Sequence, residues 1–528
     1  MSKGLRLVVT CSFFLAAVNG TAQEPSVRVI DRAAKVSTID LRAHRDSAPE
    51  VESDEIDPPP MPLPDHLPVP AAFARRAHTP EPLNTFPQLA PVPESASIVR
   101  TFLALNDNNG TVPPDTSGAV GRNHLAVALN TQIRFQDRTG NELLTTSLRT
   151  FFENVRNGGR VFDPHIAYDP RTGRWMICAT TDQRINSSAQ PTGSALALGV
   201  SKTGDPLGLW DLYRFEAPAS VWFDFPQLGF NDSNIVVSLN DYAISDSKFV
   251  QGSVLILNKA DPGTGYTLIN SGVNGGGLAP VVSFDAGSPM YLVQRWNGNS
   301  GGLGYIRLYS ASSSGATPIA FISTPSLWTA AGPGSDDFAP QSGTAQKIAA
   351  GDDRILSPVL RNGSIWAVQT IFVPADAPTR AAAQWWQVTP SGALIQRGVL
   401  EDPSGAIFYT FPSIAVNVKN AVVISGTRLS ATTFPSAYFA YGQAGSLATT
   451  PPAPVIYKSG EASYAKVFST SNRWGDYSTA CVDPVNDTDF WTIDEYAATP
   501  SGGFDRWGTW WVQIASKDDA ARRRSVRH

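Results

Sequence analysis

Between residue 113 and the C-terminus one short pattern returns about seven times: a small or polar residue, an alternating apolar run, a turn, and a second apolar run rich in Trp and Tyr. The clearest copies are Asp163-Pro-His-Ile-Ala-Tyr168 with Arg174-Trp-Met-Ile-Cys178, Phe225-Pro-Gln-Leu-Gly-Phe230 with Asn234-Ile-Val-Val-Ser238, and Tyr477-Ser-Thr-Ala-Cys-Val482 with Phe490-Trp-Thr-Ile493. A hairpin of this size cannot bury its own apolar face, so it must stack on further copies of itself. The repeats start near Asp115, Asp163, Asp224, Ala279, Asp353, Phe411 and Asp476, and the copy near Asp353 turns through Asn362-Gly363, a strong two-residue hairpin signal.

The repeats lie about 50 to 75 residues apart, more than the roughly 40 to 45 of a compact blade, so the surplus belongs to loops. Third-strand candidates follow, such as Leu196-Ala-Leu-Gly-Val200 and Gln384-Trp-Trp-Gln-Val388. With 43 Gly, 41 Pro and only 16% charged residues, and almost no helical periodicity, the chain reads as all-β. One short helix is expected within 146–154. The expected fold is a seven-bladed β-propeller with four-stranded blades. Its last unit supplies only three strands before the charged tail, and an open edge is a liability. The segment Ser97-Ile-Val-Arg-Thr-Phe-Leu-Ala-Leu105 is therefore expected to pair with residues 507–515 and lock the N- and C-terminal ends into one blade.

Residues 1–22 carry a basic start, an apolar run and small residues before Gln23, the pattern of a signal peptide. Residues 23–95, rich in Pro and without strand alternation, read as an extended or disordered leader; 96–516 hold the propeller and 517–528 a charged tail. The expected localisation is secreted or periplasmic, and the expected state is a monomer. No apolar run reaches the roughly 20 residues of a membrane span. A net charge of −5 without a basic cluster speaks against a nucleic-acid partner. Beyond the signal only Cys178 and Cys481 remain, in non-adjacent units, and free thiols are expected. So few His and Cys argue against a zinc site; the carboxylate ring leaves a structural calcium open, although no Asp-x-Asp-x-Asp-Gly loop occurs. No cofactor is expected.

Several motifs together resemble a group of secreted bacterial propeller proteins of unassigned activity. They are Pro113-Pro-Asp-Thr-Ser-Gly-Ala-Val-Gly121, Ser201-Lys-Thr-Gly-Asp-Pro206, Leu360-Arg-Asn-Gly363, Arg473-Trp-Gly-Asp-Tyr-Ser478 and Val482-Asp-Pro-Val485 with Phe490-Trp491. The resemblance covers about residues 100 to 515 and implies architecture and export. More distantly the chain resembles sialidase-like propellers: Asp169-Pro-Arg-Thr-Gly-Arg-Trp175 is similar to their Asp-box, with different spacing and no leading Ser.

In an up-and-down blade, the entry to the first strand and the link from second to third strand emerge on one face, where residues of all blades converge. Here those positions hold Asp115, Asp163, Asp224, Asp353 and Asp476 before first strands, and Asp182, Asn240, Asp241, Arg295, Trp296, Arg428, Asp494 and Glu495 after second strands. Each Asp before a first strand can fix a turn by accepting backbone N–H bonds. The face can also bind a ligand, with Trp222, Trp296 and Trp474 as flat surfaces and Asp and Arg fixing orientation. Third, two of its carboxylates can cleave a glycan as acid and base or nucleophile, and Tyr477 or Tyr496 beside Arg473 would suit a lyase. The expected ligand-binding set is Asp224, Arg295, Trp296, Arg473, Asp476, Asp494 and Glu495. Recognition of an extracellular glycan or protein is the leading reading, and a carbohydrate-active enzyme, glycoside hydrolase or polysaccharide lyase, the alternative. A deep funnel with facing carboxylates would mark the enzyme, and a broad rim the docking module.

Overall fold

The computed structural model describes residues 26–30, 35–44, 96–183, 193–270, 276–332, 337–445, 447, 453–468 and 470–516. It is an all-β propeller of antiparallel four-stranded meanders. Five meanders form sheets of their own, beginning with Ser117–Val120, Arg160–Asp169, Leu278–Pro280, Ile407–Val416 and Thr479–Val482. Two more, beginning with Val221–Phe230 and Ile355–Arg361, merge into one ten-stranded sheet. Val282–Ser283 joins them, running parallel to Phe230 on one side and to Val359 and Leu360 on the other. Sheets that stand apart as single blades thus number five, against the seven blades expected.

The repeated sequence has a repeated backbone form. In four first strands the ladder slips by a bulge at an X-Pro pair: Asp163-Pro164, Phe225-Pro226, Ser357-Pro358 and Phe411-Pro412. Proline cannot donate to the ladder, so pairing breaks there. The preceding residue turns left-handed, with φ of 53°, 49°, 46° and 50° in that order, and Asp115 does the same at 54° without a proline. Such backbone costs of order 1–3 kcal/mol per residue outside glycine and persists only where neighbours hold it.

The ring closes as expected: Ala96–Asn106 pairs antiparallel with Phe504–Ser516. Thr509 Oγ1 accepts from the Leu105 amide and donates to its carbonyl, at 3.0 and 3.1 Å. The expected helix is the four-residue Leu148–Phe151, capped by Ser147.

The leader departs from expectation. Ser26–Ile30 adds an outer strand to Tyr266–Asn270, and Lys35–Asp40 adds one to Leu209–Glu216. These strands borrow main-chain partners from finished sheet edges and leave Val27 and Val36 exposed. They need no apolar alternation, so none is visible in the sequence. Behind them Ile39 and Leu41 enter the core between the first two meanders. The expected signal peptide, the rest of the expected leader and the residues after 516 lie outside the described residues. Cys178 and Cys481 are free thiols. No helix among the described residues is long and apolar enough to cross a membrane.

Candidate functional site

The left-handed bulges gather acidic side chains at one end of the channel. Three of the four bulges, at Asp163, Phe225 and Phe411, send a main-chain N–H to an acceptor on a neighbouring blade, and the Asp476 amide does the same. Asp163 N donates to Asn130 Oδ1 at 2.7 Å, Phe225 N to Asp163 Oδ2 at 3.1 Å, and Asp476 N to Asp115 Oδ1 at 2.9 Å. Asn130 Nδ2 donates to the other Asp115 oxygen at 2.7 Å. The turn-fixing role foreseen for Asp115 and Asp163 is thus visible as bonds between blades.

The same two carboxyls lie close enough to influence each other's ionisation. Burial raises the Asp115 pKa well above the ordinary range, with the charges of Asp476 and Asp163 adding to it. Asp163 is raised likewise, by burial and then by Asp224 and Asp476. Glu495 is raised by burial too; its Oε1 accepts from Thr116 at 2.8 Å, and its Oε2 is buried without a partner. Beside these buried carboxyls stands an ion pair, Arg473 to Asp476 at 3.0 Å, whose side chains keep 19% and 25% of their exposure. These are the solvent-facing charges of the cluster.

The floor beneath is aromatic. The rings of His165 and Tyr477 lie 4.1 Å apart, Phe225 packs edge-on to Tyr477 at 5.9 Å, and the Arg354 guanidinium sits 4.0 Å above Phe225. Tyr477 donates to the Pro164 carbonyl at 3.1 Å, tying the last meander to the second across the channel. That hydroxyl is committed and its pKa is pushed well up by burial, so the lyase-type base has no support at Tyr477. Tyr496, with a pKa pushed up to about 12 by burial, packs against Trp510 under Lys458.

Of the expected set, Asp224, Arg473, Asp476 and Glu495 come together around the Asp115–Asp163 pair. Arg295 is 3% exposed and engaged with Asp352 and Asp353 at 3.2 and 3.1 Å, to one side of the mouth. Asp494 points away: it takes bonds from Tyr457 at 2.7 Å, Thr492 at 2.8 Å and Ser425 at 3.3 Å between the last two meanders. Burial lifts its pKa to about 7. Alternation along Phe490–Ser501 explains this, since consecutive strand residues face opposite ways. Trp296 is a correction. It is buried, edge-on to Phe321 at 4.9 Å and beneath Arg307, and offers no open face. Trp222 stacks on Tyr242 and Trp474 donates to Thr427, both buried, so the aromatic platforms read from the sequence are packing residues. A large flat ring gains more by filling the space between blades than by facing water.

Asp352 escaped the sequence reading. Burial opposes its charge, yet Arg354 and Arg295 hold its carboxyl well below the ordinary range, and Arg354 binds it at 2.8 Å. Aligning the repeats on the residue before each proline places Phe225 level with Asp163 and Asp224 one residue earlier. Among the described residues no group of three or more His, Cys, Asp or Glu side chains is placed to hold a metal ion. The Asp-box-like turn is structural. Asp169 holds Arg171 N and Thr172 Oγ1, pairs with buried Lys259 at 2.6 Å, and leads to the core residue Trp175.

No protein-family model matches the chain, and no curated protein sequence does. Among solved structures it is similar to a Fusarium graminearum α-L-arabinofuranosidase bound to an iminosugar inhibitor, at 10% identity and a TM-score of 0.38, covering 79% of this chain and 99% of that one. It is similar to a Penicillium chrysogenum α-L-arabinanase with arabinobiose, at 9% identity and 0.38, covering 80% and 98%. A third is Trypanosoma rangeli sialidase, at 8% identity and 0.35, covering 80% and 60%. At such scores these likenesses carry no argument here. The fold rests on the strand pairings above, and the function on the site.

Proposed function

We propose that this protein is a secreted, carbohydrate-active propeller whose acidic channel mouth hydrolyses a glycan. Counting the two meanders of the ten-stranded sheet as blades makes its ring seven-bladed. The observation that carries the reading is a cluster of buried carboxyls, Asp115, Asp163 and Glu495, whose burial favours the protonated form, beside a half-buried carboxylate, Asp476, fixed by Arg473. A glycoside hydrolase needs one carboxyl to protonate the leaving oxygen and another to take a proton from attacking water or to attack the sugar itself. In this assignment the buried cluster gives a proton to the glycosidic oxygen as that C–O bond breaks. Asp476 takes a proton from the water whose oxygen bonds to the sugar carbon, and transfer back to the cluster restores the site. The carboxyls are clustered and not spread around a rim, which favours the enzyme over a docking surface.

Recognition without chemistry is the second reading, favoured by the bonds from the Asp476 amide and the Asn130 side chain that already occupy both Asp115 oxygens. The full chain, incubated with a panel of bacterial and plant polysaccharides, should release oligosaccharides detectable by mass spectrometry. Asp476→Asn should cut that release by roughly 10²–10⁴-fold with an unchanged urea midpoint. Undiminished release from the variant rules out the assigned base; no release across the panel leaves recognition as the account.

A further inference from the structure

Below the aromatic floor the channel opens again. On the far side of His165 and Tyr477 lies a cavity of about 360 Å³ between the first strands of the ring. Its walls are mainly apolar, built by Pro280, Val282, Phe284, Leu356 and Pro358 among others. Its charged lining residues are Arg122, Arg361 and Asp487. Arg361 and Asp487 pair with each other, and Arg122 reaches the Pro170 carbonyl.

Two polar groups at this cavity are left without partners. Gln227, 5% exposed, has its amide Nε2 buried and unbonded, and His165 Nε2 is in the same condition. A buried donor without an acceptor is costly, and native interiors rarely keep one without a reason. Burial also pushes the His165 pKa down to about 3, so its ring is neutral, offering one nitrogen to donate and one to accept. A charged group placed between these two side chains would lose its hydration without gaining a counter-ion. A neutral group that both accepts and donates would satisfy both.

We propose that this lower cavity is a second binding site, separate from the acidic mouth, for a neutral molecule with an apolar body and a terminal carboxamide. The carbonyl takes the Gln227 Nε2 hydrogen, the amide N–H meets His165 Nε2, and the body lies against Phe284, Leu356 and Pro358. The aromatic floor keeps the two sites apart, so a ligand enters from the face opposite the carboxylates.

Benzamide serves as the probe, with benzoate and benzamidine as charged isosteres, titrated into the full chain by calorimetry. Benzamide should bind saturably and the two ions at least about tenfold more weakly. Gln227→Leu should weaken benzamide about three- to tenfold, the worth of one hydrogen bond. Should that variant fail to fold, a crystal of the unaltered chain soaked in 4-bromobenzamide decides: the anomalous bromine peak is expected inside the channel below Tyr477. Equal binding of the charged isosteres, a bromine peak elsewhere, or no saturable binding overturns the proposal.

Discussion

At the mouth of the channel the N–H groups of Asp163, Phe225 and Asp476 are answered by the amide of Asn130 and the carboxylates of Asp163 and Asp115, while the bulge at Phe411 uses the Thr370 hydroxyl. A few residues further along, the same strands run regularly and hydroxyls answer. Ile166 N donates to Ser117 Oγ at 3.0 Å, Gly118 N to Thr479 Oγ1 at 3.0 Å, and Ala480 N to Ser413 Oγ at 2.7 Å. Both layers stitch blade to blade by the same kind of bond. The difference is that a hydroxyl only stitches, whereas a carboxylate stitches and titrates. A structural role and a chemical role are therefore not alternatives at the mouth, and the lower layer supplies the internal control.

The sharpest way to break this comparison is Asp115→Ala. It strips the acceptor from Asp476 N and Asn130 and places alanine at a φ of 54°. A loss of about 3 kcal/mol in urea unfolding is expected, against less than about 1 kcal/mol for Asp115→Asn, which tolerates the left-handed backbone. A loss below about 1 kcal/mol for the alanine variant would deny the mouth its stitching role.

The pH response sharpens the other half. Asp115, Asp163 and Glu495 are raised, Asp241 lies at about 6 and Asp494 at about 7, all chiefly through burial. An unfolded carboxyl titrates near 4, so between about pH 4 and 7 the folded protein holds protons that the unfolded chain releases. Stability from these groups is full below about pH 4 and is lost as pH rises through their folded values. Asp352 works in the opposite sense and loses its contribution only as pH falls below about 4. Thermal melting should accordingly come at higher temperature at pH 5 than at pH 7.5, and Asp494→Asn should flatten the slope. A melting temperature that rises across that interval contradicts the assigned shifts. The smallest effect belongs to Ser117→Ala in the lower layer: about 1 kcal/mol, equal at pH 5 and 7.5, by urea unfolding at both.

Much of this was legible in the sequence. The paired apolar runs mark the first strands, and Ser97-Ile-Val-Arg-Thr-Phe-Leu-Ala-Leu105 marks the closing strand, because a hairpin repeat and a missing fourth strand both have local signatures. Asp476, Arg473, Asp224 and Glu495 could be placed at the mouth from strand order alone. What escaped depended on which way a side chain turns inside a strand. Asp494 and Glu495 are adjacent, and only register sends one between blades and the other to the mouth. Trp296 and Trp474 look alike in sequence whether they face water or a neighbouring blade. The outer strands at 26–30 and 35–40 were hidden because their partners supply what makes them strands.

The bond between Leu105 and Thr509 joins residues 404 apart in the chain. A protein made from its N-terminus onward must therefore carry its closing strand unpaired until almost the whole ring has been synthesised, since the strand's partner follows the other six meanders in the chain. Contacts of such long sequence separation are slow to form. Linking the present ends and cutting the chain between two other blades would turn that pairing into a short hairpin, moving the slow step of assembly elsewhere in the circle without altering a side chain of the finished site.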